Sequence, residues 1–175
     1  VQSAKLLDRN LQLELEKYGY YINALSVMPE VQQLLRSGDA DSALTDQLHK
    51  LTRELKSAAP AGPYLRETQI VHVDGALRYS SGYDSVSNTL YRALLPQIDA
   101  ASPRDSLQYT LSRHTASGTL VLGRKIYRYT TAMEPIGYIL LYINARPLEE
   151  EILSGIDFGP DSAVFLMGAD GTVLI

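Results

Sequence analysis

Cysteine is absent from the 175 residues, which excludes a disulfide framework, thiolate zinc ligation and a cysteine nucleophile together. Tryptophan is missing too, and phenylalanine occurs only twice. The aromatic load therefore falls on twelve tyrosines, each carrying a hydroxyl that needs a partner when buried. The three histidines, His49, His72 and His114, lie in separate segments and point to no metal. Basic residues do not dominate: 16 Lys and Arg against 20 Asp and Glu leave a formal charge of -4. Phosphate backbones demand clustered cations with little compensating acid, so nucleic acid is set aside as a partner. No run approaches the roughly 20 consecutive apolar residues that span a bilayer. Catalytic signatures are lacking as well. No Gly-x-Ser-x-Gly elbow occurs, Gly168 stands where a phosphatase-type loop would place its nucleophile, and Asp157-Phe158-Gly159 has no other kinase segment before it. A non-enzymatic chain is expected.

What is present begins with a helix. Ala4, Leu7, Leu11, Leu15, Tyr18, Ile22 and Leu25 recur at steps of three and four, one helical face, while Asp8, Arg9, Gln12, Glu16 and Asn23 fall opposite. The element should run on the order of 40 Å, more than one small sheet covers. Its N-terminal part then calls for a partner, the same helix of a second subunit; packing within its own chain is the competing reading, since the pattern is short for a coiled coil. Val1 enters helical register without a cap, so the natural protein is expected to extend upstream. Pro29 should end or kink the helix near Val27 and Met28. Glu30 to Arg36 reads as a further short helix, and Ser37-Gly38-Asp39 as a break. Leu44, Leu48, Leu51 and Leu55 mark a second amphipathic helix, expected to clamp across a sheet and to end at Pro60, Gly62 and Pro63.

From Glu67 the period changes to two. Thr68 to Val73 predicts a strand, Asp74-Gly75 a tight hairpin and Ala76 to Tyr79 the return strand. Ser87 to Leu95 reads as a helix that Pro96 stops. Leu107, Tyr109 and Leu111 alternate with polar residues as in a strand with one buried face. Gly118 to Thr130 is another strand, and Ile136 to Asn144 another, apolar on both faces and hence central. Arg146 to Leu153 closes the unit as a short helix. Connections between the last strands are too short for parallel crossovers, so the sheet is antiparallel. The fold class is α+β: a long N-terminal helix followed by an antiparallel sheet of the Per-Arnt-Sim (PAS) type with flanking helices. Ala163 to Ile175 repeats the opening hairpin pattern, and a repeat cut at its start implies a fragment of something longer.

Asn23-Ala24-Leu25 through Val31-Gln32-Gln33-Leu34-Leu35, the Asp74-Gly75 hairpin, and Pro135 to Asn144 running into Pro147-Leu148 resemble, in that order, the extracytoplasmic Cache sensor domains. The likeness is to the double-Cache type of transmembrane sensor histidine kinases and chemoreceptors. The resemblance implies a receptor module on the extracytoplasmic side of the cell membrane, attached through segments outside this sequence. It also implies a small-molecule ligand, no cofactor, and a signal passed through the long helix. On that reading residues 1–58 hold the two helices, 59–155 the membrane-distal sensing module and 156–175 the start of a second module. The alternative is a dimerisation or protein-interaction module of the same fold without a small ligand.

In the amino-acid-binding branch of that family, an arginine followed by tryptophan and tyrosine lies on the helical excursion, and an aspartate on the last strand meets the ligand's ammonium. Arg92 matches the arginine, but Leu94 and Leu95 stand at the aromatic positions and Tyr142 at the aspartate's. An ammonium group left without a carboxylate is costly to bury, which disfavours an amino-acid ligand. Strand alternation places Tyr138, Leu140 and Tyr142 on one face, offering rings and hydroxyls. Arg124 and Arg128 share a face and, turned inward, would grip a carboxylate or phosphate by forked hydrogen bonds. The candidate ligand residues are Arg92, Tyr109, Arg124, Tyr138 and Tyr142, with core packing for the tyrosines and solvent exposure for the arginines as the ordinary alternatives.

Overall fold

The computed structural model describes residues 2–37, 42–59, 62–82, 87–101, 110–114, 119–129 and 134–156. In chain order the elements are α1 (Gln2–Val27), α2 (Pro29–Arg36), α3 (Ser42–Ala58), β1 (Leu65–His72), β2 (Leu77–Ser80), α4 (Ser87–Ala101), β3 (Thr110–His114), β4 (Thr119–Tyr127), β5 (Pro135–Asn144) and α5 (Ala145–Leu153). A 3-10 turn, Gly62–Tyr64, leads into β1. The architecture is α+β, with strands in the order β2-β1-β5-β4-β3 and every pairing antiparallel.

β5 occupies the middle of the sheet and is covered on both faces, which is why it reads as a continuous apolar run. One face carries Ile70, Leu120, Leu122, Ile126, Ile139 and Leu141, packed with Tyr18, Ile22 and Leu25 of α1, Val31 and Leu34 of α2 and Leu48 of α3. The other face carries Val71, Val121, Tyr138, Leu140 and Tyr142 beneath Tyr91, Leu94 and Ile98 of α4. Each fully buried isoleucine or leucine in these layers contributes about 1.5–3 kcal/mol of transfer free energy.

The α1–α2 elbow follows from Pro29. Met28 is extended, and Pro29 opens α2, where its missing amide costs no helical bond. Gln32 secures the elbow to the sheet: its Nε2 donates to Ser26 O at 2.8 Å and Tyr127 O at 3.1 Å, while its Oε1 accepts from the Tyr129 amide at 3.1 Å. In the β1–β2 hairpin Gly75 takes φ +87, and the Ala76 amide donates to Asp74 Oδ1 at 2.8 Å. That bond, with His72 beside it, holds the Asp74 carboxyl below its ordinary value.

Two expectations are corrected. Pro96 does not stop α4 but lies inside it. The proline forgoes one helical bond, yet the turn beyond it delivers buried Ile98 into the space above Gly123, and that contact keeps the helix going. β1 starts at Leu65 rather than Thr68, because an irregularity between Leu65 and Glu67 interrupts the alternation that a period of two relies on. Leu7, Leu11 and Leu15 of α1 are half-buried against their own chain. α5 lies against that stretch, and Asn10 Nδ2 donates to Ile152 O at 3.0 Å. Only Ala4 of that stripe is exposed. The proposed second hairpin at 163–175, Tyr109, and the Gly38-Asp39 break lie outside the described residues. No helix among the described residues is long and apolar enough to cross a membrane.

Candidate functional site

The irregularity in β1 decides what the α4 face of the sheet contains. Leu65 pairs with Ile143, but Glu67 pairs with Tyr142, so one extra residue intervenes and the side chains exchange faces. Leu65 joins the α1 side, while Glu67 meets the α4 side together with Gln69 and Val71. Glu67 and Gln69 are 4% and 0% exposed. Such a carboxylate needs donors around it to stay in the interior. Gln69 Nε2 donates to Glu67 Oε1 at 2.9 Å, and Ser80 Oγ lies 2.5 Å from the same oxygen. Tyr142 in turn donates its hydroxyl to Gln69 Oε1 at 2.8 Å. Gly82 leaves room for the carboxylate, since a Cβ there would lie 2.9 Å from Glu67 Cδ.

The result is a directional hydrogen-bond chain from Tyr142 through Gln69 to Glu67. Burial first, then the negative charge of Glu67, hold the Tyr142 hydroxyl well above the ordinary tyrosine range, so it serves as a neutral donor. A second polar group closes the far end of α4. Tyr138 donates to Asp99 at 3.0–3.1 Å, and Lys125 Nζ approaches Asp99 Oδ1 at 2.6 Å. Burial, reinforced by Asp99, pushes the Tyr138 hydroxyl up to about 12.

Of the expected ligand residues, Tyr138 and Tyr142 do share one face with Leu140. Arg92 sits on the exposed side of α4, where its Nε donates to Tyr91 Oη at 3.1 Å and its guanidinium stands 5.7 Å from that ring's centroid. Arg124 belongs to the opposite face, bonded to Asn23 Oδ1 of α1. Arg128 follows the end of β4 and pairs with Glu134. Arg124 therefore lies across the sheet from Tyr138 and Tyr142, while Arg92 bonds Tyr91, whose ring packs in the same cluster as those two tyrosines. Gln69 meets Tyr142 and Asp99 meets Tyr138, with Glu67 bonded to Gln69 and to Ser80 beyond it. A usable signal existed for two of them: Glu67 and Gln69 are polar residues two apart, directly before an apolar pair in a strand.

The buried phenols make stability sensitive to alkali. Tyr21, Tyr138 and Tyr142 all have their hydroxyls held above the ordinary value of 10.0. A raised folded value means that the unfolded chain ionises first, so stability is intact below pH 10 and declines as pH rises through the folded values. Unfolding midpoints measured from pH 9 to 12 should fall, and Tyr138→Phe should flatten the decline. A profile level to pH 12 would refute the assignment.

No family model matches the sequence, and no curated protein matches it.

Proposed function

We propose that the chain is the extracytoplasmic signal-sensing domain of a bacterial transmembrane receptor, of the Cache type used by sensor histidine kinases. It holds a small molecule between α4 and the sheet and reports through α1. The reading is supported by a hairpin, a helical excursion and a three-strand run that returns beside β1, the arrangement anticipated for a PAS-like module. The single observation that carries it is the acceptor-rich chain Glu67–Gln69–Tyr142, buried on the face of the sheet that α4 covers. Its chemistry suits a small protonated amine. The carboxylate absent from the last strand is supplied by β1 instead, which removes the objection to an ammonium group. Ligand can act on α1 only by favouring one of two packings of it.

A second reading, a dimerisation module without small ligand, is favoured by one observation. Leu6, Leu13, Tyr20 and Val27, seven residues apart on α1, are exposed, with Tyr20 at 74%. The stripe suits the same helix of a second copy. The test is a thermal-shift screen of amines, organic acids and sugars. A protonated amine should raise Tm, by an amount equivalent to about 2.7 kcal/mol at a hundredfold excess over Kd. Glu67→Gln should weaken that binding by an order of magnitude while Arg124→Gln leaves it intact. Hits indifferent to Glu67→Gln would remove the proposed site. An absence of hits, with self-association lost in Leu13→Lys, would transfer the case to the second reading.

A further inference from the structure

A cleft of about 510 Å³ opens between α1 and α5. α1 contributes Leu13, Glu14, Glu16, Lys17 and Tyr20 to its walls, and α5 contributes Glu151. Three carboxylates therefore share the cleft with one ammonium group. Lys17 Nζ pairs with Glu14 Oε1, which leaves Glu16 and Glu151 without a cation among the described residues. Neither finds one along its own helix. Three and four residues from Glu16 stand Gln12, Leu13, Gly19 and Tyr20, and from Glu151 stand Pro147, Leu148, Ser154 and Gly155. Glu151 accepts the Tyr64 hydroxyl at 3.3 Å, a neutral donor that leaves its charge in place. The last turn of α5, where Glu151 sits, carries no basic residue, and an acid there opposes the helix dipole. Helix stability thus does not explain that carboxylate. The deepest group adds a separate observation. Glu14 lines the cleft at 5% exposure, and its Oε2 is buried with no hydrogen-bond partner, a costly arrangement for an acceptor. A donor entering the cleft would supply what the chain does not.

We propose that this cleft binds an organic polycation, an aliphatic polyamine, whose ammonium groups meet Glu14, Glu16 and Glu151 and whose methylene chain lies along Leu13 and Tyr20. Among the described residues no three acidic or histidine side chains converge as a metal ion requires. Leu13 and Tyr20, 47% and 74% exposed, give the same cleft an apolar wall that a bare cation would not use. Ammonium-to-carboxylate bonds are charge-assisted, a tyrosine face attracts a cation, and methylenes prefer apolar surface to water. Lys17 displays the pairing within the chain, as an ammonium on a flexible alkyl stem set against Glu14. The volume admits a molecule larger than a simple ion. Such a ligand would staple α1 to α5 beside the bond from Asn10 Nδ2 to Ile152 O. The site is separate from the one around Glu67, since α1 and α5 pack on the face of the sheet opposite Tyr142.

The test is calorimetric titration of the full chain with spermidine, n-butylamine and magnesium chloride at matched ionic strength. One-to-one saturation by spermidine is expected, with butylamine, which carries a single ammonium, weaker by about tenfold or more and magnesium without effect. The double variant Glu16→Gln/Glu151→Gln should weaken spermidine by about tenfold or more, whereas Asp46→Asn/Glu54→Gln, which removes the same charge from α3, should leave it unchanged. Amide NMR shifts of the unaltered chain supply a readout that needs no variant to fold, and they should centre on residues 13–20 and 151–154. No saturation at millimolar spermidine, equal affinity for butylamine, heats reproduced by magnesium, equal loss in both double variants, or shifts centred on Glu67 and Tyr142 would each overturn the proposal.

Discussion

Gly137→Ala is expected to lower stability by about 3 kcal/mol, at the upper end of overpacking costs in a well-packed core. A Cβ at that position would lie 2.4 Å from the backbone oxygen of Val71 and 2.8 Å from Leu35 Cδ2. The backbone oxygen cannot yield cheaply, and the leucine methyl, though mobile, is enclosed in the core. Val71 belongs to β1, which is paired on both sides by β2 and β5, and Leu35 is buried in α2 beneath the elbow. Relief therefore requires separating the two central strands or lifting α2 off the sheet. The denaturant midpoint should drop while the dependence on denaturant stays the same, which distinguishes lost stability from a changed unfolded state. Gly155 provides the contrast. Its φ is +73, but nothing lies within 4 Å of the place an alanine methyl would take, so the substitution there meets only backbone strain of about 1–2 kcal/mol. Equal effects at the two glycines would contradict the close approach at 137.

The second large effect concerns the seat of α4. Ile98 is 1% exposed and fills the space over Gly123, where a Cβ would lie 2.3 Å from its Cδ1 and 2.7 Å from its Cγ1. Ile98→Ala should cost about 3 kcal/mol, combining lost transfer energy with an unfilled cavity. Gly123→Ala should cost about 1–3 kcal/mol by pushing the isoleucine away. The two changes are coupled by contact: with the isoleucine shortened, a methyl at 123 occupies the vacated volume. The double variant should therefore be more stable than the sum of the singles predicts, by about 1–2 kcal/mol. Strict additivity would show that α4 is held by something other than this pair. Because α4 covers Tyr138 and Tyr142, the same cycle measures how firmly the proposed ligand site is roofed.

Elements set by short-range rules stand where their residues imply, and features set by distant contacts do not. The elbow at Pro29, α3 on its leucines, the Asp74-Gly75 turn and the central position of β5 each follow from a local rule, and each stands in the fold. Pro96 defeated the local rule because a partner on another element, Gly123, accepts the residue two positions beyond it. The candidate site depends on pairing as well. Arg124 and Tyr142 were both reasonable ligand contacts from alternation within their own strands, but pairing places Val121 opposite Tyr142 and Ile139 opposite Arg124, so the two side chains emerge on opposite faces.

From its residues alone this chain was bound to form a long helix, a proline elbow, a hairpin and one doubly buried strand, because periodicity and backbone restriction act over a few neighbours. Tertiary structure decided which polar groups meet. A single added residue in β1 turned Glu67 inward to Tyr142, and α5 folded back against the stripe on α1. Such outcomes depend on strand register and on contacts more than a hundred residues apart, where a one-residue slip exchanges every face.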